Sequence, residues 1–153
     1  MSDFLKLVET AKQLEEQNAE VYEIYSEITD HFGLMQLLRA LRTGIETHTK
    51  VLVRFLDERV GDVDVDEARV KALDMSEYVV ERSFDAAMEY RDFLCMILHF
   101  EAMLQSFYET LVQVILSTEH RDIFRRLAAD QEKHLWLVRS RLELENLTSE
   151  GCF

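Results

Sequence analysis

Proline is absent from this 153-residue chain and glycine occurs four times. Without proline, nothing in the sequence locks φ or removes a backbone donor from a helix. Three of the glycines, Gly33, Gly61 and Gly151, fall between or beyond the periodic apolar runs. Ala, Leu, Glu and Arg, all good helix formers, are abundant, and the fold expected is all-α. Cysteine is nearly absent too. Cys95 lies within an apolar helical run and Cys152 near the C-terminal end, so a structural disulfide is not expected. Basic residues are scarce, 17 Lys and Arg against 30 Asp and Glu, for a formal charge of −13. A surface of that sign repels phosphate backbones and anionic bilayers, so neither nucleic acid nor membrane is an expected partner. The apolar stretch over 93–116 is broken by His99, Glu101, Gln105, Glu109 and Gln113, which is unlike a membrane span. The opening residues, Met1, Ser2, Asp3 and Phe4, lack a basic segment followed by an apolar core, so a reduced, cytoplasmic protein is expected.

What remains is a chain that is 48% apolar, long enough to bury a core and short enough for one domain over 1–153. Apolar residues recur at helical spacing over 3–31, 34–60, 91–117 and about 122–147. Gly33, and Gly61 with Asp62, mark the first two ends, and residues 118–120 form the turn before the last helix. The short joints make two antiparallel hairpins. The polar segment 62–90 is a long crossover, with Asp66 and Ser76 as N-caps of short helical pieces.

The two hairpins repeat one another. Glu15, Tyr22 and His48 return 86 residues later as Glu101, Tyr108 and His134. Leu41, Glu46 and Leu56 return as Leu127, Glu132 and Leu142. Such internal periodicity describes architecture before any local motif does. Helical spacing places Glu15, Tyr22 and Tyr25 on the inner stripe of the first helix, and Ile45 and His48 on that of the second. It does the same for Glu101 and Tyr108 on the third, and Gln131 and His134 on the fourth. Each helix thus carries one Glu or His near its middle on its apolar side. A buried carboxylate needs a metal, a cation or hydrogen bonds to offset its desolvation. The third helix has a second apolar stripe, Phe93, Met96, Phe100, Met103 and Phe107. Either the crossover covers it, through Tyr78, Val79, Phe84 and Met88, or a homodimer forms there.

The segments around Glu15 and Tyr22, Glu101 and Tyr108, Ile45 to His48, and Leu127 to His134 resemble the rubrerythrin branch of the ferritin-like superfamily. The resemblance covers about residues 5–60 and 90–145. It implies a ferritin-like antiparallel four-helix bundle of two duplicated hairpins with one long crossover. It also implies that Glu15, His48, Glu101 and His134 stand at ligand positions of a di-iron centre. Two further carboxylate positions of that pattern are occupied by Ile45 and Gln131, and no Cys-x-x-Cys pair marks the rubredoxin domain. Glu46 and Glu132 do not replace them, because one residue along a helix turns a side chain by about 100°.

Two readings follow. In the first, Glu15, His48, Glu101 and His134 hold one divalent transition metal, iron, manganese or zinc. Tyr22, Tyr108 and Gln131 then support the ligands. An enzyme of this kind would be an oxidoreductase, admitting peroxide or dioxygen to open coordination positions. In the second, the same residues form a metal-free polar network, and the bundle is an interaction or regulatory module.

Overall fold

The computed structural model describes residues 2–60, 63–78, 85, 87–147 and 150–152, and among them every regular element is helical. The helices are α1 (Asp3–Ile28), α2 (Phe32–Asp57), α3 (Glu67–Ala72), α4 (Tyr90–Val114) and α5 (Thr118–Leu144). Short 3₁₀ turns lie at Met75–Tyr78 and Glu150–Cys152.

Local chemistry sets the helix starts. The Ser2 hydroxyl accepts from the Leu5 amide at 3.2 Å, His31 Nδ1 accepts from the Leu34 amide at 3.2 Å, and Asp66 caps α3 through the Arg69 amide. Each satisfies an amide with no partner inside its helix. Ser76 caps nothing: it sits inside the 3₁₀ turn, its amide bonded to Asp74. The turn expected at 118–120 is instead the first turn of α5, and the break falls at Ile115–Ser117, which are extended or non-helical. Gly61 and Asp62 lie outside the described residues. α2 ends earlier, and Arg59 just beyond it adopts φ 49°.

The links α1–α2 and α4–α5 are each three residues long, so each pair packs as an antiparallel hairpin. Across the hairpins α2 meets α5 and α1 meets α4, closing a four-helix bundle. The crossover is pinned to the end of α4 by an isolated antiparallel bridge, with Asp66 N bonded to Val114 O and Leu116 N to Asp64 O.

The apolar core comes in two parts. One gathers Phe4, Leu52, Phe55, Phe107 and Phe124; the other gathers Tyr22, Tyr25, Leu38, Phe93 and Val138. Along every long helix the boundary between them falls at Glu15, His48, Glu101, Gln131 and His134, all buried. A polar layer crosses the middle of the bundle.

Of the second stripe of α4, Phe93, Phe100 and Phe107 are buried within the single chain, while Met96 and Met103 are half-buried. Tyr78 packs edge-on against Phe107 and Tyr25 stacks on Phe93, with Met88 beside the same cluster. Val79 and Phe84 lie outside the described residues. Trp136, an aromatic expected to pack in the core or at its boundary, is instead 66% exposed.

The expected absence of a disulfide is overturned as well. Cys95 and Cys152 are joined in a disulfide, their Cα atoms 5.0 Å apart. The 3₁₀ turn Glu150–Cys152 folds back onto α4, and His99 Nε2 bonds to the Cys152 carbonyl oxygen at 3.4 Å. A sequence separation of 57 concealed that proximity. No helix is long and apolar enough to cross a membrane among the described residues.

Candidate metal centre

The polar layer is built from side chains that the four helices deliver at one level. His48 Nδ1 lies 2.7 Å from Glu15 Oε1, and the Tyr108 hydroxyl donates to the same oxygen at 2.8 Å. The second copy is arranged similarly with one insertion. Tyr22 donates to Glu101 Oε1 at 3.2 Å, the Gln131 amide donates to Glu101 Oε2, and His134 Nδ1 lies 3.1 Å from Gln131 Oε1. Each tyrosine serves the glutamate of the opposite hairpin.

This network assigns the ring protons. The Gln131 NH₂ also donates to the Glu101 backbone oxygen at 3.1 Å, and a backbone carbonyl only accepts, so the NH₂ faces Glu101 and the amide oxygen faces His134. His134 Nδ1 must then donate, as His48 Nδ1 does to Glu15. Both histidines therefore turn Nε2 away from their orienting acceptors. The rings lie 5.2 Å apart and 28° from parallel.

Facing those two nitrogens is Asp130. Its Oδ2 is 2.6 Å from His48 Nε2 and 3.9 Å from His134 Nε2. His48, Asp130 and His134 each offer a ligand atom, and the three atoms lie within 4.8 Å of one another. Asp130 and His134 stand four residues apart on one face of α5, while His48 comes from α2. Two imidazoles and a carboxylate are donors for iron, zinc or a similar divalent ion, and three protein ligands leave coordination positions open. The Asp130 side chain is 41% exposed, so the cluster opens to solvent on that side.

The electrostatics follow from burial. Burial pulls the His48 pKa down, but its hydrogen bonds and charge interactions with Glu15 and Asp130 outweigh that and leave it raised. Burial and the neighbouring His48 charge lower His134 to about 4, so its imidazole is neutral at neutral pH. Burial raises Glu15 against the opposing pull of His48 and Tyr108. Burial and the charge of Glu15 raise Glu101 to about 7. Glu15 Oε2 is buried without a hydrogen-bond partner.

All four inward residues expected from the sequence, Glu15, His48, Glu101 and His134, meet in this layer, but in unequal roles. The histidines supply atoms to the three-residue group; the glutamates stand behind the rings, one directly and one through Gln131. Tyr22 and Tyr108 bond the glutamates. Ile45 packs in the apolar core, and Glu46 and Glu132 are exposed, as their rotation off the inner stripe requires. Asp130 was missed because it sits one residue before the inner stripe and is half-exposed. Its i,i+4 spacing from His134 was the available signal. His31 stacks on Tyr90 and pairs with Glu145, and His120 packs against Phe4, both remote from the layer.

No protein-family model, no curated protein and no solved structure matches this chain.

Proposed function

We propose that the protein binds one divalent transition metal through His48, Asp130 and His134, in a bundle of ferritin-like, rubrerythrin-type descent. The observation that carries this reading is the convergence of two Nε2 atoms and one carboxylate oxygen, with both Nδ1 atoms committed to acceptors. An acceptor on the far nitrogen of a histidine fixes its tautomer and strengthens it as a ligand. Glu15 is therefore a support for His48, and Gln131 with Glu101 a support for His134. The unpartnered Glu15 Oε2 fits a layer that receives a cation nearby.

A di-iron centre does not fit these residues. Ile45 offers an apolar side chain to the core, and Gln131 spends both ends of its amide on Glu101 and His134. Neither is available to bridge two metals. A single bound ion would supply Lewis-acid or one-electron chemistry at a partly open site. The surrounding chain holds the ligands at fixed tautomers and keeps water from all sides except that of Asp130.

Metal content of the purified protein, before and after reconstitution with iron, manganese or zinc, tests this directly. About one ion per chain is expected, lost in a His48→Ala/His134→Ala double variant. Asp130→Asn should weaken binding, and Glu15→Gln should weaken it by about 10- to 100-fold, the usual range for a residue behind a ligand. Two ions per chain, or none after reconstitution, would refute the single-ion site.

One observation favours the metal-free reading. Both ring nitrogens of His48 face carboxylate oxygens at 2.6–2.7 Å, so an imidazolium satisfies Glu15 and Asp130 together. In that case chelator leaves the melting temperature unchanged, whereas a bound metal stabilises by mass action.

A further inference from the structure

α2 holds two glycines, Gly33 in its first turn and Gly44 in its middle, and the position of Gly44 faces the candidate site. A Cβ built there would overlap Cε1 and Nε2 of His134 and lie 3.2 Å from Nδ1. The obstacle is an imidazole ring already fixed by Gln131 and by the neighbouring His48 ring. Glycine weakens a helix interior relative to alanine, so local propensity gives no reason for it here.

The internal repeat sharpens the point. Position 44 recurs 86 residues later as Asp130. His48 Nε2 meets Asp130, and His134 Nε2 meets Gly44, so each histidine points at the same position of the opposite hairpin. On one side that position supplies a ligand oxygen. On the other it supplies nothing, and the vacated volume holds the second ring.

We infer that Gly44 is a positioning residue: by lacking a side chain it admits the His134 ring against α2 and so brings Nε2 into range of His48 and Asp130. The inference rests on the metal-binding reading for its consequence, but the steric claim is testable without metal. Three variants suffice: Gly44→Ala, His134→Ala and the double variant. Chemical unfolding is followed by circular dichroism with chelator present, and zinc affinity is measured by competition with a chromophoric chelator.

In the His134→Ala background, Gly44→Ala should stabilise, because the ring is gone and alanine is the better helix former. In the wild-type background it should destabilise or stabilise much less, and zinc affinity should fall at least tenfold. An equal stability change in both backgrounds would show that the ring does not occupy that space and would overturn the inference. So would a double variant that fails to fold, since no ring then remains to clash. Wild-type zinc binding with unchanged affinity in Gly44→Ala would overturn the positioning role while leaving the metal site standing. Absence of zinc binding in the wild type, with the predicted difference between backgrounds intact, would overturn the metal reading and with it the ligand role.

Discussion

Glu101 is held almost entirely out of water, and burial with the charge of Glu15 carries its pKa from 4.5 to about 7. A raised carboxyl pKa means that the folded state keeps a proton the unfolded chain releases between those values. Stability therefore falls as pH rises from about 4.5 through about 7, and the cost is complete above the folded pKa. Its size is at most about 3 kcal/mol. Urea unfolding of metal-stripped protein at pH 5, 6, 7 and 8 should show this decline, and Glu101→Gln should flatten it. Glutamine can accept from Gln131 and donate to the Tyr22 oxygen, so the network can survive the change. A Glu101→Gln variant with the same pH slope as the wild type would assign the dependence to another group. At this scale the sequence was legible where a polar residue sat on an apolar stripe, as at Glu15, His48, Glu101 and His134. It was silent where role depended on the neighbouring helix. Asp130 and Gly44 look like ordinary helix-surface residues until α2 and α5 are brought together.

The four long helices were readable because the apolar period persists along each of them; the ends were less so, because caps decide them, and Gly33, expected as a break, lies in the first turn of α2. α5 begins four residues before expected, since nothing in Thr118–Arg121 opposes a helical turn once Ser117 is extended. The C-terminal turn was invisible, because its attachment is covalent and long-range. The Cys95–Cys152 bond closes a loop across a separation of 57, which by chain entropy stabilises by up to about 4 kcal/mol. Reductant, or the Cys95→Ser/Cys152→Ser variant, should lower the melting temperature by roughly 10 °C for a domain of this size. Equal melting with and without reductant would mean that the two sulfurs are not joined in solution. A lasting cross-link of this kind belongs to oxidising surroundings more than to a reducing one, which bears against the reduced state expected from the sequence.

Over the whole molecule, a charge of −13 opposes compaction. Raising ionic strength from about 0.01 M to about 0.15 M shortens the Debye length from about 30 Å to about 8 Å, so the melting temperature should rise with added sodium chloride. A fall would show that local pairs such as Arg54–Glu58 outweigh the long-range repulsion. The arrangement of the two hairpins was foreshadowed by the repeat, but the division of labour between them was not. Two separate, identical hairpins meeting across a two-fold axis would carry the same residue at both equivalent positions: two carboxylates confronting each other, or two gaps. A single chain escapes that constraint. With Gly44 in one copy and Asp130 in the other, the polar layer is asymmetric, anionic and partly open on one flank and free of a side chain on the other. Joining the two hairpins in one chain is what allows the two flanks of the layer to differ, because each copy can then carry its own residue at the shared position.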